Sequence, residues 1–169
     1  MRSDLGRELR RRQSILSTTG LGVIAFGLWS FLKLNLYFLL GSDTLFGDIE
    51  FDPAFSRRVV LAASYVICMI VACIILLLHV RVGRGAIAEA KDGPKRYHYM
   101  GLAIGMAVFY IFSVALSLFT LDFDSSSFPD YLASILVDAT SAIMLIELVA
   151  SARRVRSIRQ ELQKEAGET

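Results

Sequence analysis

The stretch VVLAASYVICMIVACIILLLHV, residues 59–80, contains no Asp, Glu, Lys or Arg. Because an α-helix rises about 1.5 Å per residue, these residues would cover roughly the 30 Å thickness of the hydrocarbon core of a bilayer. A helix at the surface of a soluble protein would place polar residues along one face, and this stretch does not. The stretch therefore predicts a transmembrane helix and sets the class of the whole chain.

Three more apolar blocks of similar length lie on either side of it. They are residues 15–40, 100–119 and 131–150. Over all 169 residues, 54% are hydrophobic and 20% are charged, against roughly 25% charged in a soluble domain. We therefore predict an all-α integral membrane protein, a bundle of four transmembrane helices in a single domain over residues 1–169, with tails at residues 1–14 and 151–169.

The first block follows a basic stretch, MRSDLGRELRRRQ at residues 1–13, which resembles the start of a secretory signal peptide. The apolar core of a signal peptide is about 7–15 residues long, and this block is longer. No small-x-small cleavage site stands out before the acidic loop. We therefore expect an uncleaved first span.

Basic residues concentrate in the two tails and in the connection between the second and third blocks, which together hold 15 of the 18 Lys and Arg residues. The other two connections are acidic, with Asp43, Asp48, Glu50 and Asp52 in one and Asp122, Asp124 and Asp130 in the other. Since basic loops stay on the cytosolic side, we expect both termini and the middle connection in the cytosol. The short loops are typical of a bacterial chain, so we expect a multi-pass protein of the cell (inner) membrane.

The two halves of the chain resemble each other, which suggests an internal repeat. GLGVIAFGLWSF at residues 20–31 aligns with GLAIGMAVFYIF at residues 101–112. In the acidic connections, IEFD at residues 49–52 aligns with LDFD at residues 121–124. A duplication would give two parallel helical hairpins related by a pseudo-twofold axis along the membrane normal. Apolar segments also align through composition alone, so both explanations stay open.

Small residues at four-residue spacing mark candidate helix contacts. They are Gly101 and Gly105 in the third block, and Ser64, Cys68 and Ala72 in the second. In lipid, helices associate where small side chains let their backbones approach each other. We expect these residues to pack within the bundle, and the alternative is that they form the face of a dimer.

Three ionisable residues lie inside the apolar blocks: Lys33, Asp138 and Glu147. Charged groups in hydrocarbon are costly and usually face protein or water. Lys33 and Asp138 should lie at similar depth, so an ion pair that fixes helix register is one interpretation. A carboxylate that binds a proton or a cation is the other, in which case Lys33 can extend to the headgroups. For Glu147 we expect a salt bridge at the cytosolic boundary, with a gate or a proton relay as the alternative.

Motifs for catalysis, cofactors and metals are missing from the sequence. His79 and His98, the two histidines, are expected at helix ends facing the interface. Cys68 and Cys73 point to different helix faces and are expected to act as small apolar side chains. Without a nucleophile–base pair, a metal cluster or a phosphate loop, we expect a protein that is not an enzyme and has no cofactor. We also expect no nucleic acid partner.

The C-terminal stretch places Val155, Ile158 and Leu162 at helical spacing with basic residues between them. Such an amphipathic helix suits anionic lipid or a protein partner, and a solvated basic tail is the alternative. Two functions are consistent with the sequence. The first is a membrane subunit or accessory protein that acts in the lipid bilayer through helix and tail contacts with a membrane protein partner. The second is a homo-oligomeric, ion- or proton-coupled transporter or channel that uses Asp138.

Overall fold

Over the residues that it describes, a computed structural model of the chain contains four helices, namely α1 (Arg2–Phe46), α2 (Arg57–Ala90), α3 (His98–Phe119) and α4 (Phe128–Gly167). The structure describes residues 2–46, 57–91, 98–119 and 128–167, and side chains within residues 4–36, 59–91, 98–119 and 132–165. Those ranges contain no β-strand, so the predicted all-helical architecture is confirmed. All four helices are long and apolar enough to cross a membrane.

Both acidic connections fall largely outside the described residues. The aligned tetrapeptides at residues 49–52 and 121–124, on which half of the repeat hypothesis depends, lie outside them as well. The middle connection is described up to residue 91 and again from residue 98.

The helices are longer than the apolar blocks that predict them. With 45 residues in α1 and 40 in α4, each is roughly 60 to 70 Å long, about twice the thickness of the hydrocarbon core. The predicted tails are therefore continuations of α1 and α4. The start of α1, the end of α2, the start of α3 and the end of α4 lie together, and we call this the basic end. The opposite end, where the acidic connections emerge, is the acidic end.

Neighbouring helices run antiparallel, but they do not pack equally. α1 packs extensively against α2 and α4, and α3 packs against α4. α2 and α3 touch only slightly. A twofold axis relating the two hairpins would exchange the α1–α4 contact with the α2–α3 contact, and these two contacts differ. The duplication stays a prediction, and the described helices depart from that symmetry.

Buried side chains occupy the half of the bundle nearer the basic end. They fall within residues 16–27 of α1, 72–90 of α2, 99–110 of α3 and 141–158 of α4, which we call the closed half. The remaining described residues toward the acidic end form the open half, namely residues 28–36, 59–71, 111–119 and 132–140. In the open half, every described side chain is half-buried or exposed.

The closed half is held tightly by a glycine contact between α1 and α2. A Cβ added at Gly20 would lie 2.9 Å from the carbonyl oxygen of Gly83, and a Cβ added at Gly83 would overlap the carbonyl of Gly20. Because the obstacle in both cases is backbone, the helices could not keep this approach with larger residues. Sequence spacing did not single out this pair.

The predicted packing residues differ in their burial. Ala72 is buried, whereas Ser64 and Cys68 are half-buried. Gly101 and Gly105 lie on an exposed face of α3, where an added Cβ would meet nothing within 4 Å. Among the described residues, no other helix therefore faces the two α3 glycines closely. The close helix contact is made by other glycines, Gly20 and Gly83. The sequence could not show this, because a GxxxG pattern does not indicate which face of its helix turns inward.

The amphipathic C-terminal stretch is part of the bundle. Val155 and Ile158 are fully buried, and Val155 belongs to the same apolar core as Leu16 and Ala90. The face that could have met lipid or a partner is thus covered by the chain itself. The basic face of α4 remains exposed at Arg153.

Candidate intramembrane polar site

Asp138 and Lys33 each take a serine partner on a neighbouring helix. Ser113 Oγ donates to Asp138 Oδ2 at 2.8 Å, and Lys33 Nζ donates to Ser134 Oγ at 2.7 Å. Ser134 and Asp138 are one turn apart on α4, so the lysine and the carboxylate lie on the same face of that helix. The direct Lys33–Asp138 ion pair is not formed among the described residues, because the Ser134 hydroxyl takes the ammonium instead.

A buried histidine lies further toward the basic end. His79 is 2% exposed, and its Nδ1 is 2.8 Å from the carbonyl oxygen of Ile75. Since a carbonyl can only accept, Nδ1 must carry the hydrogen, which leaves Nε2 of the neutral ring as an acceptor. The hydroxyl of Tyr110 donates to Nε2 at 3.0 Å.

The expectation of an interfacial His79 is wrong, and the reason lies on the neighbouring helix. A Cβ added at Gly27 would be 2.5 Å from the Cβ of His79. The glycine therefore makes the space in which the imidazole enters the bundle. His98, the other histidine, is exposed as expected.

Tyr110 lies on the same helix as the partner of the carboxylate. Its hydroxyl donates to His79, and Ser113, which donates to Asp138, lies one turn further along α3. We define the polar site as these interacting side chains from all four helices. They are Lys33, His79, Tyr110, Ser113, Ser134 and Asp138.

The polar site straddles the boundary between the two halves of the bundle. Lys33, Ser134 and Asp138 lie in the open half, and His79 and Tyr110 are buried in the closed half. A further hydrogen-bonded pair lies toward the acidic end. The Tyr65 hydroxyl donates to Asn35 Oδ1 at 3.3 Å, and Asn35 Nδ2 donates to the Phe31 carbonyl oxygen at 2.8 Å.

A buried ion pair closes the basic end. Glu89 is 1% exposed and accepts from Nε and Nη2 of Arg156 at 2.5 and 2.6 Å. The Tyr99 hydroxyl donates to the same carboxylate at 2.7 Å, and Arg159 donates to the Glu89 backbone carbonyl at 2.8 Å. This cluster ties the ends of α2 and α4 to the start of α3.

Glu89 lies nine residues beyond Val80, the last residue of the second apolar block, so roughly 13 Å past it along the helix. Sequence reasoning missed Glu89. The available signal was an acid among alanines (AIAEA, residues 86–90) in a basic segment.

Glu147 is not part of either cluster. Its side chain is exposed, and it makes no ion pair within the described part of the chain, so the predicted interfacial salt bridge is not formed there. Nine residues separate it from Asp138, which places the two carboxylates on opposite faces of α4. Glu147 therefore points away from the polar site.

Metal ligands do not converge in the described residues: no group of three or more His, Cys, Asp or Glu side chains could hold a metal ion there. The free thiols of Cys68 and Cys73 are half-buried and exposed, respectively.

Comparison with family models, with curated proteins and with solved structures finds no match for this chain.

Proposed function

We propose that the chain is an ion- or proton-coupled carrier or channel of the cell membrane, with Asp138 as its binding carboxylate. The observation that supports this most is the polar site itself. Polar side chains from four helices lie near the boundary between the two halves of the bundle, and a carboxylate is among them. Ionisable groups inside a membrane are expensive to keep and commonly mark ion and proton pathways.

The two halves of the bundle pack unequally, and this difference suggests from which side the ion reaches the proposed site. Toward the acidic end, Asp138 is surrounded by half-buried and exposed side chains, whereas the residues toward the basic end are tightly packed. Acidic residues in both nearby connections would raise the local concentration of cations. We therefore propose that the ion enters from the acidic side and that the closed half must open to release it.

Ion flux into vesicles tests the proposed function. Purified protein in liposomes should move protons or small cations, and Asp138→Asn should abolish the flux without changing thermal unfolding in detergent. Glu147→Gln is the matched control, because it removes an exposed carboxylate from the same helix and should leave the flux intact. Equal flux in wild type and Asp138→Asn would contradict the proposal.

A second candidate is a non-enzymatic membrane subunit or accessory protein that acts through helix contacts. It is favoured by the exposed face of α3 with Gly101 and Gly105, because small residues let another helix approach closely. Purification from mild detergent followed by mass spectrometry separates the two candidates. A stoichiometric membrane protein partner would favour the subunit, and a pure oligomer of this chain would favour the carrier or channel.

A further inference from the structure

We propose that α2 binds an anionic phospholipid at the basic end of the bundle, with the phosphate held by Arg81 and Arg84 and an acyl chain lying along the apolar residues that precede them. This site is separate from the polar site and does not depend on what the chain carries. Its basis is one continuous exposed face of α2, on which basic side chains follow apolar ones.

The exposed face of α2 repeats at alternating steps of three and four residues, which place side chains next to each other on a helix. Its members, which we call the α2 stripe, are Ile67, Ile70, Ile74, Leu77, Arg81, Arg84, Ala88 and Lys91. Each of the four large apolar members is more than half exposed, and the three basic members are exposed as well. Of the four helices, α2 also buries the smallest share of its apolar window. The stripe is therefore surface that is left for lipid.

The apolar part of the stripe has the length of one leaflet. From Ile67 to Leu77 the helix rises about 15 Å, which is half of the roughly 30 Å hydrocarbon core. Arg81 is one turn beyond Leu77 and is the first residue after the block of residues 59–80, which contains no Asp, Glu, Lys or Arg. Because long basic side chains near helix ends extend toward the headgroups, an acyl chain on the stripe would bring its phosphate to Arg81 and Arg84.

Both arginines are available to a phosphate. Among the described residues, neither Arg81 nor Arg84 has a hydrogen-bond or ion-pair partner, whereas Arg156 is paired with the buried Glu89. At three-residue spacing their guanidinium groups lie side by side, and a guanidinium group matches phosphate oxygens with two parallel hydrogen bonds. Residues 59–88 contain no Asp or Glu. The stripe thus has nothing to attract the cationic group of a zwitterionic lipid, and it complements a headgroup with net negative charge.

A second copy of the chain is a poorer occupant of the stripe. Two copies that faced each other across a twofold axis along the membrane normal would place Arg81 and Arg84 of both copies at the same depth. The stripe contains no acidic residue to offset the repulsion between like charges. We therefore assign the stripe to lipid.

Lipid-dependent unfolding tests the site. Purified protein in a neutral detergent is titrated with phosphatidylglycerol while the unfolding temperature is followed, since a ligand that binds only the folded state raises this temperature. The double variant Arg81→Gln/Arg84→Gln should weaken the apparent affinity roughly tenfold or more, because both phosphate donors are lost. The control Arg10→Gln/Arg11→Gln also removes two exposed arginines from the basic end. It should keep the wild-type affinity, because adjacent helix positions do not share a face.

The chemistry of the ligand is tested on the wild type. Phosphatidylcholine with the same acyl chains, and inorganic phosphate alone, should each leave the unfolding temperature unchanged. A shift with phosphatidylcholine as large as that with phosphatidylglycerol would overturn the proposal, as would an equal shift with inorganic phosphate or no shift with any of the three. Equal weakening in the two double variants would show a general effect of charge and would also overturn it. The proposed function would stand in each case, because no residue of the stripe belongs to the polar site.

Photocrosslinking of the wild type decides the matter should Arg81→Gln/Arg84→Gln fail to fold. Phosphatidylglycerol with a diazirine in its acyl chain should label residues 67–77, and unlabelled phosphatidylglycerol, but not phosphatidylcholine, should compete. Labelling confined to other helices, or equal competition by both lipids, would overturn the site. An unlabelled α2 in a protein that migrates as a dimer would overturn it too and would assign the stripe to a second copy.

Discussion

At the scale of single residues, the Glu89–Arg156 pair should be sensitive to which partner is removed. Arg156→Met leaves a carboxylate that is 1% exposed, whereas Glu89→Gln leaves a guanidinium that is 17% exposed and can reach water. We expect Arg156→Met to cost about 3 kcal/mol, the lower part of the range for breaking a buried pair, and Glu89→Gln to cost less. Thermal unfolding in detergent measures both.

Arg154→Met is the control for that comparison. Arg154 pairs with Glu8 at 3.1 Å, but both side chains are exposed, so its loss should leave the unfolding temperature almost unchanged. Equal losses for Arg156→Met and Arg154→Met would show that burial does not strengthen the Glu89 pair.

The sequence alone can single out a residue that is unusual for its own segment. Lys33 and Asp138 stand out because charges are rare in apolar blocks, and both belong to the polar site. The burial of His79 could not be predicted in the same way, because it depends on Gly27 of another helix. For the same reason, the Ser134 partner of Lys33 appears only once α1 and α4 are packed together.

At the scale of helices, glycines on two faces should respond differently to one added methyl group. Gly20→Ala and Gly83→Ala push a Cβ against the backbone of the opposing helix, and such overpacking costs about 1–3 kcal/mol. Gly101→Ala and Gly105→Ala meet no neighbour and should leave stability nearly unchanged. Thermal unfolding of the four variants tests this, and a similar loss at all four positions would argue against the α1–α2 contact.

The apolar blocks located all four helices but not their lengths. Hydropathy detects the part of a helix that needs lipid, and α1 and α4 continue past it because their charged segments pack on each other. Val155 and Ile158 have the spacing of an amphipathic helix, yet the spacing could not tell whether lipid, a partner or the chain itself covers them. Burial of both in the bundle answers this.

At the scale of the whole molecule, the bundle has one loosely packed and one tightly packed half. Polar side chains run from Asn35 and Tyr65 in the open half to His79 at the edge of the closed half. The glycine contact and the Glu89 cluster lie beyond that point. An ion held at Asp138 should therefore exchange with the acidic side and be blocked from the basic side.

Side-specific labelling of a cysteine one turn from Asp138 tests this arrangement most directly. In a chain with Cys68 and Cys73 replaced by serine, Ser134→Cys should react with a membrane-impermeant thiol reagent added outside intact cells, since the distribution of Lys and Arg predicts that the basic end faces the cytosol. Ser141→Cys, at a buried position, should stay unreactive from both sides. A Ser134→Cys thiol that reacts from the cytosolic side, or from neither side, would contradict a polar site open to the acidic end.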